Sequence, residues 1–266
     1  MSPPPPTPVR WDELTWTDIA GRVANGMDMA ILPVGATEQH GPHLHVGMDT
    51  LAAVTVAAGV SARTGVPVLP ELPYGCSLGH SRLWPGTISL RPATLARVVE
   101  EIADWLAAAG VRRMLILNGH VTNWAPLRCA LETIRVDRAG MRVALLSIWD
   151  ISPRVHAMYH DDAAGFHANR AETALVLAVR PDLVRMDRAS DEPDRSADRF
   201  FSYTVDRESD TGTVGRPTEA TAELGERLLA ACVEDLSARV LDALRERAPL
   251  DERVHPNQPP TRESPE

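Results

Sequence analysis

Apolar and polar residues alternate in blocks along the chain. Ala30–Val34 is a short apolar run closed by Gly35, the pattern of a buried strand. Asp49–Ala62 has apolar residues at helical spacing and stops before Gly65. Val66–Leu72 is strand-like, but Pro67 and Pro70 predict an edge or irregular piece. Ala93–Ala109 predicts an amphipathic helix with Leu95, Val98, Val99, Ile102, Trp105 and Leu106 on one side and Gly110 as its stop. Met114–Leu117 reads as the next buried strand, Trp124–Val136 as a helix, Arg142–Ile148 as a strand, and Ala171–Val179 as a helix closed by Pro181. Thr218–Arg247 predicts a long helix with Pro217 at its opening turn. Such alternation predicts an α/β fold, a largely parallel sheet covered by helices on both faces. Ligands in such sheets sit beyond the carboxyl ends of the strands. Residues 1–9 read as a disordered Pro-rich lead, 10–248 as a single domain, and 249–266 as a disordered polar tail.

Composition narrows the chemistry. All 27 basic residues are arginine, so a Schiff-base lysine, a pyridoxal-phosphate anchor and a P-loop lysine are excluded. The net charge of −9, with arginines scattered, argues against a nucleic-acid partner. No apolar run reaches the roughly 18 residues of a membrane span, so no membrane partner is expected. The opening Met1-Ser2-Pro3-Pro4-Pro5-Pro6 has neither the basic start nor the apolar stretch of a signal peptide. Cys76, Cys129 and Cys232 are far apart and odd in number, which predicts buried free thiols in a reducing cytoplasm.

The polar clusters follow the predicted strands. Glu38, His40, His43, His45 and Asp49 lie within twelve residues after the first strand. In an extended stretch Glu38 and His40 point the same way, and a loop can fold Asp49 back toward them. Glu, His and Asp form a mixed O/N set suited to Zn, Mn or Fe; the competing reading is a polar loop bonded to itself. Asn118-Gly119-His120 with Asn123 follows the strand 114–117, and there His120 is either a ligand or base, or a structural histidine. His167 and Glu172 flank a helix start and converge only if His167 lies in the preceding loop. Glu172 is equally a carboxylate favoured by the helix dipole or a ligand. Tyr74–Leu90, rich in glycine, reads as a substrate-facing loop or an ordinary turn.

Taken together these segments resemble the creatininase (creatinine amidohydrolase) family. Pro33 to Leu44 with Asp49-Thr50 resembles its "PVGSTEQHGPHLPLGTDT" signature. Tyr74–Leu90 resembles "YG-S-EH-FPGTISL", Asn118-Gly119-His120 with Asn123 resembles "NGHGGN", and His167–Thr173 resembles "HAG-ETS". Val214-Gly215-Arg216-Pro217 with Ala220, Thr221 and Gly225-Glu226-Arg227 is similar to "GDP-ATAEKGE". The resemblance covers roughly residues 10–245. It implies a three-layer α/β/α fold, a creatininase-like catalytic domain, two divalent metal ions (Zn, Mn or Fe) and often a homohexamer. By the family's pattern Glu38 and His120 hold one metal and His40 the other, Asp49 bridges, Glu172 is the fifth ligand and His167 shuttles a proton. Ser77, His80, Val121, Trp149, Arg154 and Arg170 are the candidate substrate contacts. Departures stand at several positions. Thr122 replaces the metal-binding glutamate that creatininase carries two residues after the histidine of its "NGH" turn, and Val121 the aromatic next to it. Asn169, Ala174, His45 and Gly79 replace the glycine of "HAG", the serine of "ETS", a proline and a glutamate. The expected activity is hydrolysis of a small or cyclic amide. The alternatives are a peptidase acting on a precursor peptide, like the mycofactocin-type members, and a catalytically degenerate binding protein.

Overall fold

The computed structural model describes residues 7–80, 83–196 and 198–248. Three parallel strands, β1 (Met29–Val34), β2 (Arg113–Asn118) and β3 (Arg142–Ser147), form the sheet in the order β1-β2-β3. The apolar runs that predicted them split by period two, as strand side chains must. Met29, Ile31, Leu115 and Leu117 enter one core; Ala30, Leu32, Val34, Met114 and Ile116 enter the other.

Each face is covered. On the first lie α2 (Met48–Thr64), α6 (Arg170–Val179) and α7 (Ala222–Ala243), whose Val56, Leu175 and Leu236 are fully buried there. On the second lie α3 (Pro92–Ala108) and α4 (Trp124–Asp137), through Leu95, Val99, Leu127 and Ile134. α2 ends on Gly65, which takes the left-handed C-terminal position at φ +74°. Two further helices precede and follow the sheet: α1 (Trp16–Ala24), opened by a Thr15–Asp18 capping box, and α5 (Pro153–Tyr159), capped by Ser152.

Val66–Leu72 is the irregular piece that its prolines predict: it touches β1 at the isolated bridges Ile31–Val68 and Val34–Leu72 and forms no ladder with it. Other sequence readings are corrected. The last helix begins at Ala222, capped by the Thr221 side chain, and Pro217 instead opens a short 3-10 turn. Val9 is bound at the edge of the fold, its N–H donating to Ser61 Oγ (2.9 Å) and its carbonyl accepting from Val68 N (2.9 Å), so it does not belong to a disordered lead. Residues 1–6 and 249–266, the greater part of the two ends read as disordered, lie outside the described residues. Cys129 is exposed, whereas Cys76 and Cys232 are buried. No helix among the described residues is long and apolar enough to cross a membrane.

The strand register places the chemistry. Val34 pairs with Asn118 and Asn118 with Ser147, so all three strands end at one level. The segments 35–47, 119–123 and 148–152 therefore leave the sheet side by side.

Candidate metal centre and active site

Two asparagines and a glycine set this edge. Asn118 Nδ2 donates to Ser147 Oγ (3.1 Å) while its Oδ1 accepts from His120 N (3.0 Å). Asn123 accepts from Cys76 N (2.7 Å) and donates to the Gly35 carbonyl (2.9 Å), fastening the loop after β1 to the loop 74–80. A Cβ at Gly119 would run into the Asp49 carbonyl, so only glycine lets β2 exit this close to the start of α2.

Glu38, His40, Asp49, His120 and Glu172 are all buried, Glu38 completely. Asp49 sits in the first turn of α2 and divides its carboxylate: Oδ1 lies 3.1 Å from His40 Nε2, and Oδ2 lies 3.1 Å from His120 Nδ1. Glu38 faces His80 Nδ1 (3.0 Å), His120 Nε2 (3.1 Å) and His167 Nδ1 (3.6 Å). Despite these approaches neither Glu38 oxygen makes a hydrogen bond, nor does Asp49 Oδ2. Buried carboxylates without donors are costly, and an O/N set of this kind offsets them with a cation. Glu38, Asp49 and His120 present ligand atoms within 4.8 Å of one another, as do His40, Asp49 and Glu172, and Glu38, His40 and His167. The residues present thus fit divalent metal ions.

The electrostatics are those of a buried charge cluster. Burial opposes charge on His40, yet the Asp49 carboxylate raises it to about 10; His120 is likewise raised to about 9 by Glu38 and Asp49. Asp49 resists burial and stays ionised because His40 and His120 flank it. Burial raises Glu38, and it pushes Glu172 up to about 7. Burial and the charged His40 hold His167 well below its ordinary value; burial and the charged His120 hold His80 at about 3.

His167 lies in the loop before α6, as convergence with Glu172 requires. An antiparallel bridge to Val214 holds its backbone. Its Nε2 donates to the Gln39 carbonyl (2.9 Å), which leaves Nδ1 as the unprotonated nitrogen of a neutral ring. Glu172 stands at a helix start and also faces the candidate ligands. It stands in the first turn of α6, its N–H bound by Asn169 Oδ1 (3.1 Å) and its Oε2 accepting from Ala168 N (2.6 Å), while the carboxylate faces His40 and Asp49.

These groups floor a cavity of about 290 Å³, walled by Trp149, Phe166, Val121 and Val214 and roofed by Tyr203, Thr204, Val205 and Glu208. Of the candidate substrate contacts, His80, Val121 and Trp149 line it. Ser77 does not line it: its hydroxyl lies 3.2 Å from His120 Nε2. Thr122 also turns its hydroxyl onto His120 Nε2 (2.5 Å) and the Cys76 carbonyl. Arg154 and Arg170 are not brought to the cavity. Arg154 is held outside by Glu234 (2.8 Å) and Asp235 of α7, and Arg170 by Asp161 and Glu219 (3.2 Å). Opposite charges brought in by the fold capture both guanidinium groups.

Sequence reasoning missed the roof and Gln39. The Gln39 amide donates toward His80 Nδ1 (3.2 Å) and the Gly212 carbonyl (3.3 Å), and its Oε1 accepts from Gly41 N (2.9 Å). Its place between Glu38 and His40 was the available signal. The roof, 190–216, has no periodicity to read; Glu192 anchors it, pairing with Gly215 through the backbone.

The sequence model of the creatininase family, described as creatinine amidohydrolase, matches residues 12–240. A creatinine amidohydrolase from Pseudomonas putida is 37% identical over 256 residues, 89% of this chain and 96% of that protein. A mycofactocin precursor peptide peptidase from Mycolicibacterium smegmatis is 31% identical over 84% of this chain and 89% of its own. A solved mutant creatininase of Zn–Zn type superposes with a TM-score of 0.78 at 33% identity, covering 90% of this chain and 99% of the other. A site built from the family's signature residues, on the family's fold and at this level of identity, places the chain in the creatininase family.

Proposed function

We propose that this chain is a metal-dependent amidohydrolase that cleaves the C–N bond of a small or cyclic amide, with residues 10–248 acting as one catalytic unit. One observation carries the reading: two buried ligand groups, Glu38–Asp49–His120 and His40–Asp49–Glu172, share Asp49, whose two oxygens face different histidines. Two divalent ions, Zn, Mn or Fe, fit these groups, with Asp49 common to both. Bound there, they supply Lewis acidity and bring the ionisation of water toward neutral pH.

The geometry supports a part for the protein's own residues. Glu172 completes the second group where Thr122 cannot, because the threonine hydroxyl is spent on His120 and Cys76. His167, neutral and bare at Nδ1, takes up a proton and returns it to the leaving nitrogen, a role worth typically 10²–10⁴-fold. Gln39 fixes which nitrogen does so. Trp149 and Phe166, edge to face at 5.8 Å, give the cavity an apolar wall against which a substrate can pack.

The second reading is a peptidase on a precursor peptide, supported by the mycofactocin relatives. Thr122 is what favours a degenerate binding protein. Metal content by elemental analysis, then a panel of lactams and short C-terminal peptides, tests all three. About two ions per chain with lactam turnover supports the proposal, and preferential cleavage of peptides supports the second reading. Turnover by a rigorously metal-free preparation, or no metal and no turnover, refutes the metal-dependent one. A cytoplasmic homohexamer is the proposed state. The exposed apolar recess between Trp11 and Trp105 on α3 supports an assembly that covers it.

A further inference from the structure

The catalytic cavity has a neighbour. Tyr203 and Glu208 of the roof stand between it and a second recess of about 390 Å³, whose remaining walls are Arg195, Arg199 and Arg207. Its lining thus sets three guanidinium groups beside Glu208, and what matters is which of them are already paired.

The three arginines are not equivalent. Arg195 is neutralised by Glu192 (2.7 Å) and Asp210 (3.4 Å) and also donates to the Glu208 carbonyl (2.8 Å), so it is part of the scaffold. Arg199 uses only Nε, on the Arg195 carbonyl (3.2 Å). The acid nearest Arg207 is Asp206, 4.0 Å from its Nε. Among the described residues neither outer fork has another partner. A guanidinium fork matches a carboxylate with two parallel hydrogen bonds.

Resting on the amidohydrolase reading above, we propose that the substrate carries a carboxylate on the part that projects past Tyr203, and that Arg199 and Arg207 bind it. This is the clamp that Arg154 and Arg170, already captured by acids, cannot provide. Both arginines are largely exposed, so their joint effect is a modest one, about tenfold in affinity.

Matched hydroxamates test this on the metal-loaded full chain by calorimetry. Succinic, glutaric and adipic monohydroxamates are compared with uncharged alkyl hydroxamates of equal length. The expected result is about tenfold tighter binding of the best carboxylated member, lost in Arg199→Gln/Arg207→Gln while the uncharged series is unchanged. Equal binding of the two series by wild type, or an advantage that survives the double substitution, overturns the inference. A second measurement does not depend on metals. Glutarate and acetyl-Ala-Ala should each slow phenylglyoxal modification of Arg199 and Arg207, read by peptide mass spectrometry, where propanediol does not. The better protector tells a small dicarboxylate from a peptide terminus, and no protection by either overturns the inference. Failure of every hydroxamate to bind, with protection intact, would instead refute the metal reading.

Discussion

Glu192 is the residue on which the roof of the cavity depends. Its carboxylate accepts from Thr211 N (2.7 Å), Thr211 Oγ1 (2.5 Å), Asp210 N (3.0 Å) and Arg195 NH1 (2.7 Å), with 8% of the residue exposed. Burial alone would raise its pKa, but the Thr211 hydroxyl, Arg195 and the two amides override that and hold it at about 2, against an ordinary 4.5. A depression of that size contributes about 3 kcal/mol at neutral pH. Since the folded value is the lower, this stability is complete above the unfolded pKa and drains away as pH falls from 4.5 toward 2. Glu192→Gln keeps the shape and loses the charge. It should cost about 3 kcal/mol in urea denaturation at pH 7 and only about 1 kcal/mol at pH 3, the wild type having lost the remainder. With the roof loosened, KM should rise, because Tyr203, Thr204 and Val205 then no longer confine the substrate. A pH-independent gap, or a variant as stable as wild type at pH 7, would refute the reasoning.

Other outcomes follow from the same geometry. His167→Ala should lower kcat by about 10²–10⁴-fold with metal content by elemental analysis unchanged; loss of a metal would make His167 a ligand instead of a proton carrier. Gly212 adopts φ +79°, and a side chain there meets Gln39. Gly212→Ala and Gln39→Leu should therefore each impair turnover, and the double variant should be no worse than the poorer single one; additive losses would uncouple the roof from Gln39. Chelator-stripped protein should melt lower than the metal-loaded form, since ions at about 1,000 times their dissociation constant add about 4 kcal/mol. Coincident melting curves would mean that Glu38 and Asp49 bind nothing.

The legible part of the sequence was the part where local pattern and local chemistry coincide. The runs at 30–34 and 114–117 are buried on both faces, so composition alone marked them as strands. Glu38, His40 and Asp49 stood out because glycine and proline keep their loop irregular while the start of α2 turns Asp49 inward. Glu172 was ambiguous because the helix start and the ligand position are the same place. What stayed hidden depends on residues distant in sequence. Arg154 could not be discounted before Asp235, 81 positions away, was seen beside it. The roof 190–216 is held by Glu192 and by single backbone bridges, which leave no period to detect.

The side chains gathered around Asp49 come from three distant stretches of chain: 38–49, 120 and 167–172. No shorter piece of the protein holds all of them. A ribosome that has released only the first hundred and sixty residues has produced the sheet and the whole Glu38–Asp49–His120 group, but neither His167 nor Glu172. On the proposed site, the chain would stay inert throughout most of its synthesis, and its amide-cleaving power would arrive late, with the emergence of α6 and of the strip of roof that braces it.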